Sequence, residues 1–301
     1  MKSFLKKIFK YVFFSLILSN VIAFASLCSI KNSDIFKPSF LLRHFQKNQR
    51  NFDYVVLGPS TGLRGTDTRI IDSVFHKKGF NLSMDDISYG GQYLMLEHFI
   101  ENGFKTKSCI LILIPERINT ANEIFYNNEF YFLPFICESP IYNYFVEKET
   151  GAKKIRAYTK YLPILGVSYY NQQLFFSSLL SFTKPHYRHH FDEFGNEINP
   201  FPNEPNIDKE LKRDTLLFKN NDVKKIEVLC RRNNIKLIYY YSPQYHEIIE
   251  NTKAINNRII IDNNLTFHKE LFQDKYHLNM KGRRIATLAL CDSLKTRNLF
   301  H

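Results

Sequence analysis

A chain of 301 residues that is 44% hydrophobic has enough apolar side chains to bury a sizeable core, which excludes a globally disordered protein. Its formal net charge of +12 is spread over scattered Lys and Arg residues, so the sequence points to a solvated basic surface and away from nucleic acid as a partner. The 5 cysteines, Cys28, Cys109, Cys137, Cys230 and Cys291, show neither CxxC nor another metal spacing and read as single thiols, not a disulfide framework.

The first ten residues, MKSFLKKIFK, carry Lys2, Lys6, Lys7 and Lys10, and residues 11 to 30 follow without a charge. A helix of that length matches a bilayer's hydrocarbon thickness of roughly 30 Å. Lysines ahead of the span predict a cytoplasmic N-terminus and an exported remainder. Ala23-Phe24-Ala25 has the small-x-small form of a signal-peptide cleavage site. The apolar run exceeds the core of an ordinary signal, about 7–15 residues, which favours an uncleaved anchor over residues 1–30. A polar, basic connector over 31–52 then leads to the globular domain, 53–301.

Strand signals follow at intervals. DYVVLG (53–58) is a short apolar run ending in Gly and followed by PSTGLRGTD, a buried parallel strand delivering a tight loop. A helix is expected over 66–75, capped by Thr66 or Asp67. GFNLS (79–83) reads as a second strand, GQYLMLEHFIENG as a helix ending at Gly103, and SCILILI (108–114) as a central strand stopped by Pro115. NIKLIYYYSP (234–243) and RIIID (258–262) give two more strands, and MKGRRIATLALCDSLK a closing helix. Alternating strands and helices predict an α/β fold with a mostly parallel five-stranded sheet and all strand-to-helix loops on one edge. Between about 120 and 205 the alternation stops, in a helical and loop insertion rich in aromatics.

Ser60 follows the first strand directly, at the edge where open α/β sheets bind ligands. It reads either as a turn residue or as a nucleophile. Asp274 and His277, in QDKYHLNMKG, lie after the fifth strand and so on the same edge. Asp, two residues, then His lets a carboxylate fix the imidazole tautomer, and serine needs such a base to lose its proton. Arg64 and Arg117 are candidates for holding an anionic substrate. His186, His189 and His190 in HYRHH lack acidic ligands at helical spacing and read as loop residues, so no metal site is expected. The aromatic stretch Phe125 to Phe145 fits sugar binding or a membrane-facing surface, with core packing preferred.

Taken with GPSTGLRG and DKYHLNMKG, the chain resembles the SGNH, or GDSL-like, hydrolase superfamily. The likeness is greatest to its membrane-anchored branch, which includes alginate acetylation proteins and related cell-envelope acyl-transfer proteins. It covers about 53–115 and 234–295. The resemblance implies a flavodoxin-like three-layer fold, with Ser60 as nucleophile, His277 as base and Asp274 as its orienting acid. It also implies an oxyanion donor from Gly90 or Gly91 in ISYGGQ. The family's Gly-x-Asn-Asp block is absent: Pro115, Glu116 and Arg117 stand there, with Asn119 as a candidate substitute. Losing one oxyanion donor costs ~10²–10³ in rate, which leaves slow turnover or acyl transfer open.

The expectation is a serine esterase or O-acyltransferase that needs no cofactor. It would be tethered to a bacterial cytoplasmic membrane, with its globular domain outside. The implied partners are an acylated cell-surface polysaccharide and a multispan acyltransferase. The alternative is an inactive envelope protein of the same fold that binds glycan or scaffolds polysaccharide synthesis.

Overall fold

The structure is a computed structural model of the chain and describes residues 2–45, 50–122, 127–149, 154–198, 210–250, 258–262, 265 and 268–300. The first elements are α1 (Lys2–Lys31), α2 (Lys37–His44), β1 (Asn51–Leu57), α3 (Ser60–Gly65), α4 (Thr68–Phe75), β2 (Gly79–Asn81), α5 (Tyr89–Glu101), β3 (Lys105–Ile112) and α6 (Pro115–Ile118). A 3₁₀ run, Asn127–Phe135, leads to α7 (Ser139–Lys148), α8 (Ile155–Tyr158), α9 (Pro163–Tyr169) and α10 (Phe176–Thr183). The chain ends with β4 (Lys212–Asp214), α11 (Asn221–Arg232), β5 (Lys236–Tyr240), β6 (Glu247–Ile249), β7 (Ile260–Ile261) and α12 (Met280–Thr296).

Five strands form one sheet in the order β2-β1-β3-β5-β7, and every neighbouring pair is parallel. These are the five apolar runs of the sequence. Alternate residues Tyr54 and Val56 of β1 enter a cluster with Ile110 and Ile112 of β3, Ile71 of α4, and Leu290 and Leu294 of α12. The intervening Val55 and Leu57 are equally inaccessible, so both faces of β1 are covered, as a parallel sheet requires. Because all five strands run the same way, their C-terminal ends share one edge. β1 has β2 on one side and β3 on the other, so the chain leaves it at the switch point where open sheets form crevices.

Three local features depart from the sequence reading. The Gly-rich stretch after β1 is a one-and-a-half-turn helix, α3, not a loop. Its glycines serve close packing: a Cβ at Gly62 would lie 2.6 Å from Ser83 Oγ, and one at Gly65 would lie 2.2 Å from Ser242 Oγ. The connector over 31–52 contains α2, whose Phe40 and Leu41 are fully buried. A second, two-stranded parallel sheet joins β4 to β6. The expected cap of α4 is present: of the two candidates it is Asp67 that accepts a hydrogen bond from the Arg69 N–H.

The chain divides into two compact units. One comprises Met1–Gln46 with Glu129–His189, and the other Lys47–Asn128 with His190–His301. In the first, Phe132, Phe135 and Phe145 are fully buried, so the described part of the 125–145 aromatic stretch is core packing. Phe125 itself, like residues 199–205 of the expected insertion, lies outside the described residues. Helix α1 is long and apolar enough to cross a membrane, a test that a signal sequence also passes. Cys109, Cys230 and Cys291 are buried free thiols.

Candidate active site

Strand β1 ends at Leu57, and three residues later Ser60 is the first residue of α3, with its side chain half-buried at the shared edge of the sheet. The opposing groups come from the turn before α12. Phe272 and Leu278 form an antiparallel bridge, and the Gln273 N–H donates to His277 O at 3.0 Å, closing a tight loop over 272–278. Within it Asp274 Oδ1 accepts from the backbone N–H groups of Tyr276, at 2.7 Å, and His277, at 2.8 Å. The carboxylate that orients the loop therefore also faces the imidazole.

Asn279 and Gly282 hold that loop against the last helix. Asn279 caps α12 by accepting from the Gly282 N–H at 2.9 Å, while its Nδ2 donates to Glu270 O at 2.9 Å. A Cβ on Gly282 would stand 2.0 Å from Leu271 O, so only glycine lets the first turn of α12 come this close. The HLNMKG stretch thus has a structural reason beside its chemical one.

The three side chains meet. His277 Nε2 lies 2.8 Å from Ser60 Oγ, and His277 Nδ1 lies 2.8 Å from Asp274 Oδ2 and 3.0 Å from Oδ1. A carboxylate only accepts, so Nδ1–H donates to Asp274 and Nε2 is left to accept the Ser60 hydroxyl proton. Burial pushes the Asp274 carboxyl up, but the His277 hydrogen bond and charge, with the two backbone N–H groups, outweigh it and hold the group at about 2. Asp274 is therefore ionised at any physiological pH.

A pocket of about 450 Å³ opens over this array, lined by Pro59, Ser60, Thr61, Ile114, Glu116, Arg117, Thr120, Gln244, Tyr276 and His277. That volume accommodates a small ligand or one end of a larger one. Of the residues singled out from sequence, Ser60, His277 and Arg117 border the pocket, and Arg117 also donates to Ile87 O at 2.9 Å. Asp274 stands behind His277, and the remaining candidates are placed elsewhere. Arg64 faces the carboxylates of Asp85, at 3.5 Å, and Glu197, at 3.8 Å. Asn119 Nδ2 donates to Thr215 O and its Oδ1 accepts from Leu217 N–H, both at 2.6 Å, so this amide is committed to the backbone next to β4. Gly90 and Gly91 are buried in the first turn of α5, where the Gly91 N–H is donated to Ser88 Oγ at 3.0 Å. Neither glycine is among the lining residues.

Sequence reasoning missed Gln244, Thr120 and Tyr276. Gln244 follows the β5 strand and its Pro243, so the rule that sheet-edge loops carry ligand groups would have found it had it been applied to β5 as to β1. Among the described residues no group of three His, Cys, Asp or Glu side chains is arranged to hold a metal ion, and His186 instead pairs with Asp34 at 3.1 Å. Compared with known proteins, the chain matches no protein-family model and no curated sequence.

Proposed function

We propose that the protein is a membrane-tethered, extracytoplasmic serine esterase or O-acyltransferase of SGNH type, acting on acyl esters of a cell-surface polysaccharide. The observation that carries this reading is the Ser60–His277–Asp274 relay, with hydrogen-bond distances of 2.8 Å at both junctions. The strand order supports the flavodoxin-like layering that such a fold requires, because β1 is followed by one neighbour on each side. The chain between α6 and β4 is then an insertion into that layering. The charge-free stretch of α1 behind four lysines supports the tether and its orientation.

In the reaction Ser60 Oγ attacks the ester carbonyl carbon while its proton passes to His277 Nε2, and Asp274 stabilises the resulting imidazolium. The carbon–oxygen bond to the leaving alcohol breaks as that oxygen takes the proton from Nε2, leaving an acyl-Ser60. Water as second nucleophile completes hydrolysis, and a sugar hydroxyl completes transfer. Arg117, Gln244 and Tyr276 line the place where an acyl donor or acceptor would lie.

Labelling of the full chain with a fluorophosphonate tests the reading. The wild type should react and Ser60→Ala should not. A wild type that stays unlabelled yet binds acetylated glycan would establish the inactive binding or scaffolding role instead. The commitment of Asn119 to the backbone is the observation that favours this second outcome.

A further inference from the structure

Helix α10 is built inside out. It buries Ser177, Ser178 and Ser181 and leaves Phe176 at 62%, Leu179 at 47% and Phe182 at 64% exposure, with Phe175 just before it at 49%. A helix on a water-soluble surface does the reverse. Of these serines Ser181 meets α1, where its hydroxyl lies 2.6 Å from that of Ser29 and where Ser26 and Ala23 are buried. Small residues and interhelical hydroxyl contacts are the packing chemistry of helices in lipid, where burying more hydrocarbon gains nothing. Helix α9 follows suit: it buries Gly166 and shows Tyr169 at 63%.

The sequence of this region agrees. From Tyr161 to Thr183 the chain runs between Lys160 and Lys184 without a charged residue. Exposed Tyr158, Tyr161 and Tyr169 supply rings of the kind found where membrane meets water. The patch is continuous with α1. Leu16, Ile17, Val21 and Phe24 of α1 and Leu162 and Pro163 of the α9 segment line one apolar groove, and the Ile164 N–H donates to Asn20 Oδ1 at 3.3 Å. Lys160 at its border lies 4.0 Å over the Tyr142 ring, its long stem carrying the charge away from the apolar layer.

We propose that α9 and α10 enter the lipid bilayer beside α1, so that the protein holds the membrane by one spanning helix and one broken helical hairpin. The occupant of the exposed Phe/Leu face is acyl chain, because the face continues the surface of a helix whose own length and composition fit a bilayer. The hairpin packs on the later half of α1, from Leu16 to Ser29. A helix that crosses with its lysines on the cytoplasmic side carries that half in the outer leaflet. The inference rests on the reading of α1 as a spanning anchor.

The chain contains no tryptophan, so a single substitution supplies one indole, excited at wavelengths beyond the absorption of the 18 tyrosines. Phe13→Trp on α1, Phe176→Trp and Phe182→Trp on α10 would each be reconstituted as the full chain in phosphatidylcholine/phosphatidylglycerol vesicles, with and without bromine on the acyl chains. Aqueous acrylamide would serve as the opposing quencher. The expected result is that all three indoles lose most of their emission to brominated lipid and little to acrylamide. If Phe13→Trp is quenched by lipid while both α10 probes respond only to acrylamide, the hairpin proposal fails and the anchor stands. If the α10 probes are shielded from both quenchers, a protein surface covers the face and the lipid assignment is overturned. A Phe13→Trp probe open to acrylamide would remove the anchor reading and, with it, the hairpin.

Discussion

Helices α4 and α10 are each eight residues long, and they differ in the large apolar side chains they bury. In α4, Ile71 is sealed in the core with Phe75 packed against it, while Arg69 and Ser73 face outward. In α10 the serines are inside and the phenylalanines outside. On the proposed lipid assignment of α10, the same helical geometry serves two solvents, and the side chain at a buried position identifies which one. The unit with α4 brings Ser60, His277 and Asp274 together at one sheet edge, whereas in the other unit α1 and α10 leave large apolar side chains exposed.

The widest separation between the units should be in activity. Ser60→Ala and His277→Ala are expected to lower esterase turnover by about 10⁶, and Asp274→Asn by about 10⁴, through loss of the imidazole's orientation. Turnover of an activated acetyl ester, measured beside carbonate extraction of membranes, checks this. All three variants should stay with the membrane pellet, because none touches α1 or α10. Retention of wild-type turnover in Ser60→Ala would remove the serine mechanism altogether.

How far the sequence reveals this division depends on how local each signal is. The five sheet strands are legible because burial on both faces demands continuous apolar runs such as SCILILI. Strands β4 and β6 are not, since KRD and EII are three residues each and largely half-exposed. Asp274 and His277 are legible through their spacing, because three residues apart on one tight turn a carboxylate and an imidazole can meet. The helical form of α3 is hidden, because its glycines answer to Ser83, Ile112 and Ser242, residues distant in sequence. The inside-out character of α10 is hidden for the same reason: LFFSSLLSF specifies an amphipathic helix, and only the position of α1 decides which face is covered.

Smaller effects sharpen the contrast within the helices. Ile71→Ala should cost about 2–5 kcal/mol, the penalty of a cavity in a sealed core. Ser181→Leu, although it makes α10 more apolar, should cost about 1–3 kcal/mol, because it removes the Ser29 contact and forces bulk between two closely packed helices. Thermal unfolding in lipid vesicles reads both. A stabilising Ser181→Leu would break the comparison, since it would show the serine face to be loosely packed. Gly282→Ala belongs at a similar magnitude in stability, about 1–3 kcal/mol. Its turnover should fall further than its stability, because relieving the clash with Leu271 O moves the loop that carries Asp274 and His277.

The smallest expected effect concerns Asp274 and pH. Its folded value of about 2 lies below its ordinary 3.8, so the folded state binds that proton less readily than the unfolded chain. The resulting stabilisation is fully present above the unfolded value and disappears as pH falls through about 2. Asp274→Asn lacks this contribution at every pH. Its melting temperature should therefore fall below that of the wild type near pH 6, and the gap should close between about pH 4 and pH 2. No equivalent change should accompany Ser181→Leu, whose packing defect involves no titrating group. A gap for Asp274→Asn that widened on acidification would mean that the carboxylate is held by burial rather than by His277 and the two backbone N–H groups, and the loop would then not be organised around an ionised aspartate.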